Sequence, residues 1–158
     1  MDWSGWATFG VVATVVLTAV IVAAQLAGLT RLDIPLMLGT LLTRDPDRAR
    51  FFGFFLHLTM GQFFALFYAA GFTELGVSTW WLGATFGVVH AAVAGAVLLP
   101  LLSTIHPRMA TERAGPTSTT ILEPPGLLAL NYGWSTPLVM VAAHAVYGAV
   151  LGLLLQVP

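Results

Sequence analysis

Three histidines, His57, His90 and His144, stand inside long apolar stretches of this chain. Ionisable residues in such stretches are rare, and they normally face a bundle interior or a wet cavity. An imidazole placed there can serve three chemistries. It can donate one hydrogen bond to a neighbouring helix, a contact worth about 1 kcal/mol. Two imidazoles on facing helices can ligate haem b, and two or three with a Met or a carboxylate can hold a transition metal. Met60, Met140 and Tyr147 are close enough in sequence to complete such a set. The third chemistry is a proton relay, or a seat for a quinone or a lipid headgroup.

The elements carrying these groups must press close together. Each histidine is embedded in small residues at helical spacing: Gly53, Gly61 and Ala65 around His57; Gly83, Gly87, Ala91 and Gly95 around His90; Gly148 and Gly152 after His144. Small residues in this pattern are the contact faces of membrane helices. Counting at about 1.5 Å per residue puts the histidines roughly 10 to 18 Å from the arginine-bearing ends of their segments. Similar depth allows a shared site.

Hydrophobic content of 58% with 8% charged residues lies far outside the soluble average. Apolar runs cover about residues 5–29, 51–72, 80–105 and 137–157, each meeting the roughly 20 residues needed to cross a bilayer, and the helices they predict span about 5–29, 46–72, 80–105 and 137–157. The expected fold class is therefore all-α, a single four-helix transmembrane bundle. The first run lacks a basic leader, which argues for a helix rather than a signal peptide. All six basic residues fall in two loops, Arg31, Arg44, Arg48 and Arg50 in one, Arg108 and Arg113 in the other. The positive-inside rule makes those loops cytoplasmic and puts both termini outside, with Trp3, Trp6, Trp80 and Trp81 as an outer aromatic belt. A bacterial inner membrane is the expected location.

Local signals set the boundaries. Ser4 is a candidate cap for the first helix, Asp45-Pro46-Asp47 a cap with Pro at the first helical position for the second, and Thr136-Pro137 the same for the fourth. Asp33 precedes a short apolar run, about 34–43, that reads as interfacial or re-entrant, and about 126–134 reads as a second interfacial segment. His106-Pro107-Arg108 closes the third helix; with Asp33 it forms a candidate interfacial or headgroup site, although a helix C-terminus explains His106 as well. Pro100 predicts a kink.

Ala7-Thr8-Phe9-Gly10-Val11-Val12 recurs as Ala84-Thr85-Phe86-Gly87-Val88-Val89, and His57-x-x-x-Gly61 as His144-x-x-x-Gly148. Helices one and two thus read as a tandem parallel copy of helices three and four. The absence of cysteine excludes disulfides and thiolate sites. No basic patch for nucleic acid and no hydrolase motif is present, which makes an enzyme the less favoured class.

Asp33-Ile34-Pro35-x-Met37-Leu38-Gly39, His57-x-x-x-Gly61 with Phe64-Ala65 and Tyr68-Ala69, His106-Pro107, and His144-x-x-Tyr147-Gly148-x-x-x-Gly152 together resemble a family of small bacterial membrane proteins of unknown function. That family's fourth helix usually reads His-Leu-Val-Tyr-Gly, where Ala145 and Val146 follow His144 here. The resemblance implies a four-helix bundle and no known activity. The expected role is a binding or accessory subunit, as a homo-oligomer or in a larger membrane complex. The alternatives are a haem b or metal electron-transfer protein and a small transporter with a histidine proton relay.

Overall fold

The computed structural model describes residues 2–111, 115 and 117–157. Among these the fold is all-α, with six α-helices and no sheet. In chain order they are α1 Trp3–Leu26, α2 Ile34–Gly39, α3 Pro46–Leu75, α4 Trp80–Val93, α5 Leu99–Ile105 and α6 Thr136–Leu154. A π-helical turn, Ala94–Leu98, joins α4 to α5 into one continuous rod. Four rods, Trp3–Leu26, Pro46–Leu75, Trp80–Ile105 and Thr136–Leu154, are long and apolar enough to cross a bilayer, consistent with a multi-span membrane protein. Val15, Phe63, Phe67, Val89, Leu101 and Leu153 all point outward. Water would penalise that surface at about 25 cal/mol per Å², whereas hydrocarbon would not.

The rods pack in a ring. α1 lies against α3 and α6, α6 against α1 and α4, and α3 meets α4 through rings, with Phe72 stacked on Phe86 at 5.5 Å and 14°. Inside sit Ala13, Leu17, Ala65, Phe72, Ala143 and Leu151. Asp2 approaches the Gln156 amide at 3.5 Å and the Ser78 hydroxyl donates to the Leu155 carbonyl at 2.7 Å, so the two chain ends share the tryptophan end. Arg31, Arg50 and Arg108 lie at the other end, bonded among its loops. Arg113 falls outside the described residues.

Two expected caps differ. Asp2, not Ser4, caps α1, accepting from the Gly5 amide at 2.7 Å, while Ser4 donates to the same carboxylate. Both residue types cap well, and the aspartate simply begins the helix earlier. At α6 the cap position falls on Ser135, which makes no side-chain cap bond; the Thr136 hydroxyl instead pairs with that of Thr30 at 2.8 Å. Asp45 caps α3 as expected, with Pro46 at the first turn.

The arginine end is thick. Asp33 caps α2 from Leu36 N at 2.9 Å, and its second oxygen takes Arg50 Nε at 2.9 Å. α2 packs backbone to backbone on α3: a Cβ at Gly53 would stand 1.7 Å from the Pro35 carbonyl oxygen, and only glycine allows it. The segment Leu127–Tyr132 is a short 3₁₀-like stretch in which Leu128 (φ 54) and Ala129 (φ 58) are left-handed. Non-glycine residues there cost on the order of 1 to 2 kcal/mol each. Packing offsets the strain, because Ala129 is fully buried among Leu32, Met37, Leu99 and Met140.

Candidate functional site

The three histidines arrive on three different rods. α3 carries His57, α4 carries His90 three residues before its end, and α6 carries His144. All three line one cavity of about 80 Å³, together with Tyr147, Met60 and Met140. The π turn contributes to this space directly, since Ala94 and Leu98 are also in its wall. Such a volume holds a few waters or a small polar group.

Each ring is held by one identifiable partner. The Thr18 hydroxyl donates to the Thr14 carbonyl at 2.8 Å, so its oxygen is free to accept Nδ1–H of His57 at 3.1 Å. His144 Nδ1 lies 2.8 Å from the Met140 carbonyl, which can only accept. Both rings are therefore assigned, from their networks, as Nδ1–H tautomers with a bare lone pair on Nε2. Neither Nε2 has a partner among the described residues. His90 Nδ1 meets the Tyr68 hydroxyl at 3.2 Å, and its ring stands edge-on to His144 with centroids 4.7 Å apart. The Tyr147 hydroxyl, fully buried, donates to the Gly61 carbonyl at 2.6 Å.

Haem b does not fit this arrangement. Pockets for organic ligands of drug size enclose about 300 to 1,000 Å³, several times the space here, and the His90 and His144 rings are in edge contact with no slot between them. Nor do three His, Cys, Asp or Glu side chains among the described residues gather as metal ligands. What the three imidazoles show here is hydrogen bonding to Thr18, Tyr68 and the Met140 carbonyl.

At the arginine end His106 is buried and fully engaged. Nε2–H donates to the Met37 carbonyl at 3.0 Å and Nδ1 accepts the Arg108 amide at 3.1 Å. Burial, the largest influence, and the Arg108 charge lower its pKa; the Met37 carbonyl opposes them. Asp33 spends both oxygens on protein donors, and Arg108 Nη1 binds the Thr40 carbonyl, while its buried Nε has no partner. These three form an internal clamp between α2, α3 and the end of α5.

Of the expected packing glycines, Gly83, Gly87, Gly148 and Gly152 all touch a neighbouring backbone, Gly61 touches Thr14, and Gly95 lies beside Leu128. Sequence reading overlooked Thr18 and Gln62, and gave Tyr68 only as part of the motif resemblance. Thr14 and Thr18, four apart in an otherwise apolar run, were the available signal. Gln62 Nε2 donates to the Trp6 carbonyl at 2.7 Å and Trp6 Nε1 returns a bond to the Gln62 carbonyl at 2.9 Å.

No family model, curated protein or solved structure matches the chain. The motif resemblance described above therefore carries no further argument.

Proposed function

We propose that this chain is a small membrane binding protein, an accessory subunit rather than an enzyme, whose ligand site is the histidine-lined cavity. The observation that carries this reading is the convergence of His57, His90 and His144 on one cavity, two of them without a hydrogen-bond partner on Nε2 among the described residues. A histidine serving only as a helix-to-helix bond would be satisfied by that bond and packed by its neighbours. Here each ring bonds through one nitrogen, the other has no partner among the described residues, and both residues line the cavity. The gathering of arginines at one end supports an orientation with that end in the cytoplasm of a bacterium and both chain ends outside. Repeated motifs support a duplicated two-helix unit whose copies have since diverged in packing.

The test is ¹⁵N-histidine magnetic resonance of the protein in bilayers, with total lipid extract of the source membranes added. Unprotonated Nε2 resonances are expected for His57 and His144, and both should move when extract is added. If both nitrogens carry protons, or no extract moves them, the binding reading falls.

A further inference from the structure

We infer that the ligand is a hydroxyl-headed lipophile, of phenol or quinol type with an apolar tail, that enters sideways from the bilayer between α3 and α4. The inference rests on the binding reading above and adds the ligand's chemistry and its route. On the outer surface of the bundle a groove of about 580 Å³ runs between these helices, walled by Phe67, Gly71, Phe86 and Val89. Phe64 and His90 line both this groove and the histidine cavity. Their rings lie 4.3 Å apart, tilted at 41°, between the two spaces. α3 and α4 touch here only through such side chains. By contrast, α4 and α6 meet backbone to backbone at Gly83 and Gly148.

The route therefore starts in hydrocarbon and ends on imidazoles. From Gly71 to His57 along α3 it covers about 21 Å at 1.5 Å per residue, long enough for a hydroxyl in the cavity with its ring and tail in the groove. Groove walls are apolar and aromatic, which suits a tail and excludes a charged one. The unpartnered Nε2 atoms of His57 and His144 accept hydrogen bonds but donate none, so a head that bonds to them carries O–H. No Lys or Arg lines either space, so nothing there favours a phosphate headgroup.

The test uses the full chain in proteoliposomes and a long-chain alkylphenol with a diazirine in its tail, beside the methyl ether of the same probe. Photolabel is expected on peptides holding Phe64, Phe67, Phe86 or Val89, and about tenfold weaker with the ether, the loss of one hydrogen bond to a well-placed acceptor. Val89→Trp fills the mouth of the groove from an exposed position and should cut labelling by a similar factor without disturbing the fold; His144→Phe should do so from the cavity side. Equal labelling by phenol and ether would overturn hydroxyl recognition, and labelling indifferent to Val89→Trp would overturn the lateral route. Should the phenol fail while lipid extract still moves the histidine resonances, this inference falls and the binding reading survives. If the resonances are also unmoved, both fall.

Discussion

The two helix pairs of this bundle, α1 with α3 and α4 with α6, carry similar motifs and pack by different means. Between α4 and α6 the backbones touch: a Cβ on Gly83 would lie 1.9 Å from the Gly148 carbonyl oxygen, and one on Gly87 2.0 Å from that of His144. Between α1 and α3 side chains intervene, with Gly10 against the Gln62 amide and Gly61 against the Thr14 hydroxyl. The motif match pairs Gly10 with Gly87 and Gln62 with Ala149, yet Gly87 faces His144, five residues from 149. Shared motifs thus do not impose a shared register. What decides it is whether the facing residues allow backbone contact, and polar side chains at the first pair prevent that. The tight pair forms a stiff wall; the looser pair hosts the Thr14, Thr18 and His57 chain on which the site depends.

The largest expected effect breaks the tight wall. Gly83→Ala forces α4 away from α6 and should lower stability by about 3 kcal/mol, whereas Gly10→Ala meets a movable amide and should cost about 1 kcal/mol; unfolding in mild detergent compares them. Equal costs would erase the distinction between the pairs. Next comes the bond that ties one pair to the other. Tyr147→Phe removes the hydroxyl bound to the Gly61 carbonyl and should cost about 1 kcal/mol, read from the same unfolding curves.

A smaller effect is expected from acid. His106 links the end of the second pair to α2, which belongs with the first. Its pKa in the fold lies below the ordinary 6.5, so the unfolded chain takes up the proton first. The stability it contributes is whole above about pH 6.5 and is lost as pH falls through the folded value. His106→Gln should flatten that part of the pH dependence of unfolding, and an unchanged slope would show that the clamp does not titrate. Smallest of all, Thr18→Val should leave stability nearly intact but remove the acceptor that fixes His57. Its ¹⁵N signals should then report a mixture of tautomers, while those of His144 stay as they were.

The spans were legible because runs of about 20 apolar residues without charge have few other solutions. Among the glycines at helical spacing, Gly83, Gly87, Gly148 and Gly152 approach a neighbouring backbone, and the three histidines line one cavity. Other features leave weaker marks. Asp2 and Ser4 are both good caps two residues apart, so composition alone does not choose between them. Left-handed Leu128 and Ala129 carry no Gly or Asn to announce them; only the flanking Gly126 and Gly133 hint at an unusual path. The histidine rings are held by side-chain partners such as Thr18 and Tyr68, which ordinary helix patterns treat as filler. Just before Pro100, where the sequence predicts a kink, the rod carries a π turn, and Pro100 itself brings no amide hydrogen to the ladder.

That wide turn also acts as a phase setter. A π bulge is in effect one residue more than an α-helix needs, so it dials the half bearing His90 against the half bearing Leu99. Deleting Ala96 would restore a regular ladder, yet at 3.6 residues per turn it would swing one half by about 100° around the axis. Either His90 would leave the cavity or Leu99 would leave the core. A single inserted residue is thus the rotational key that lets one helix serve two partners at once.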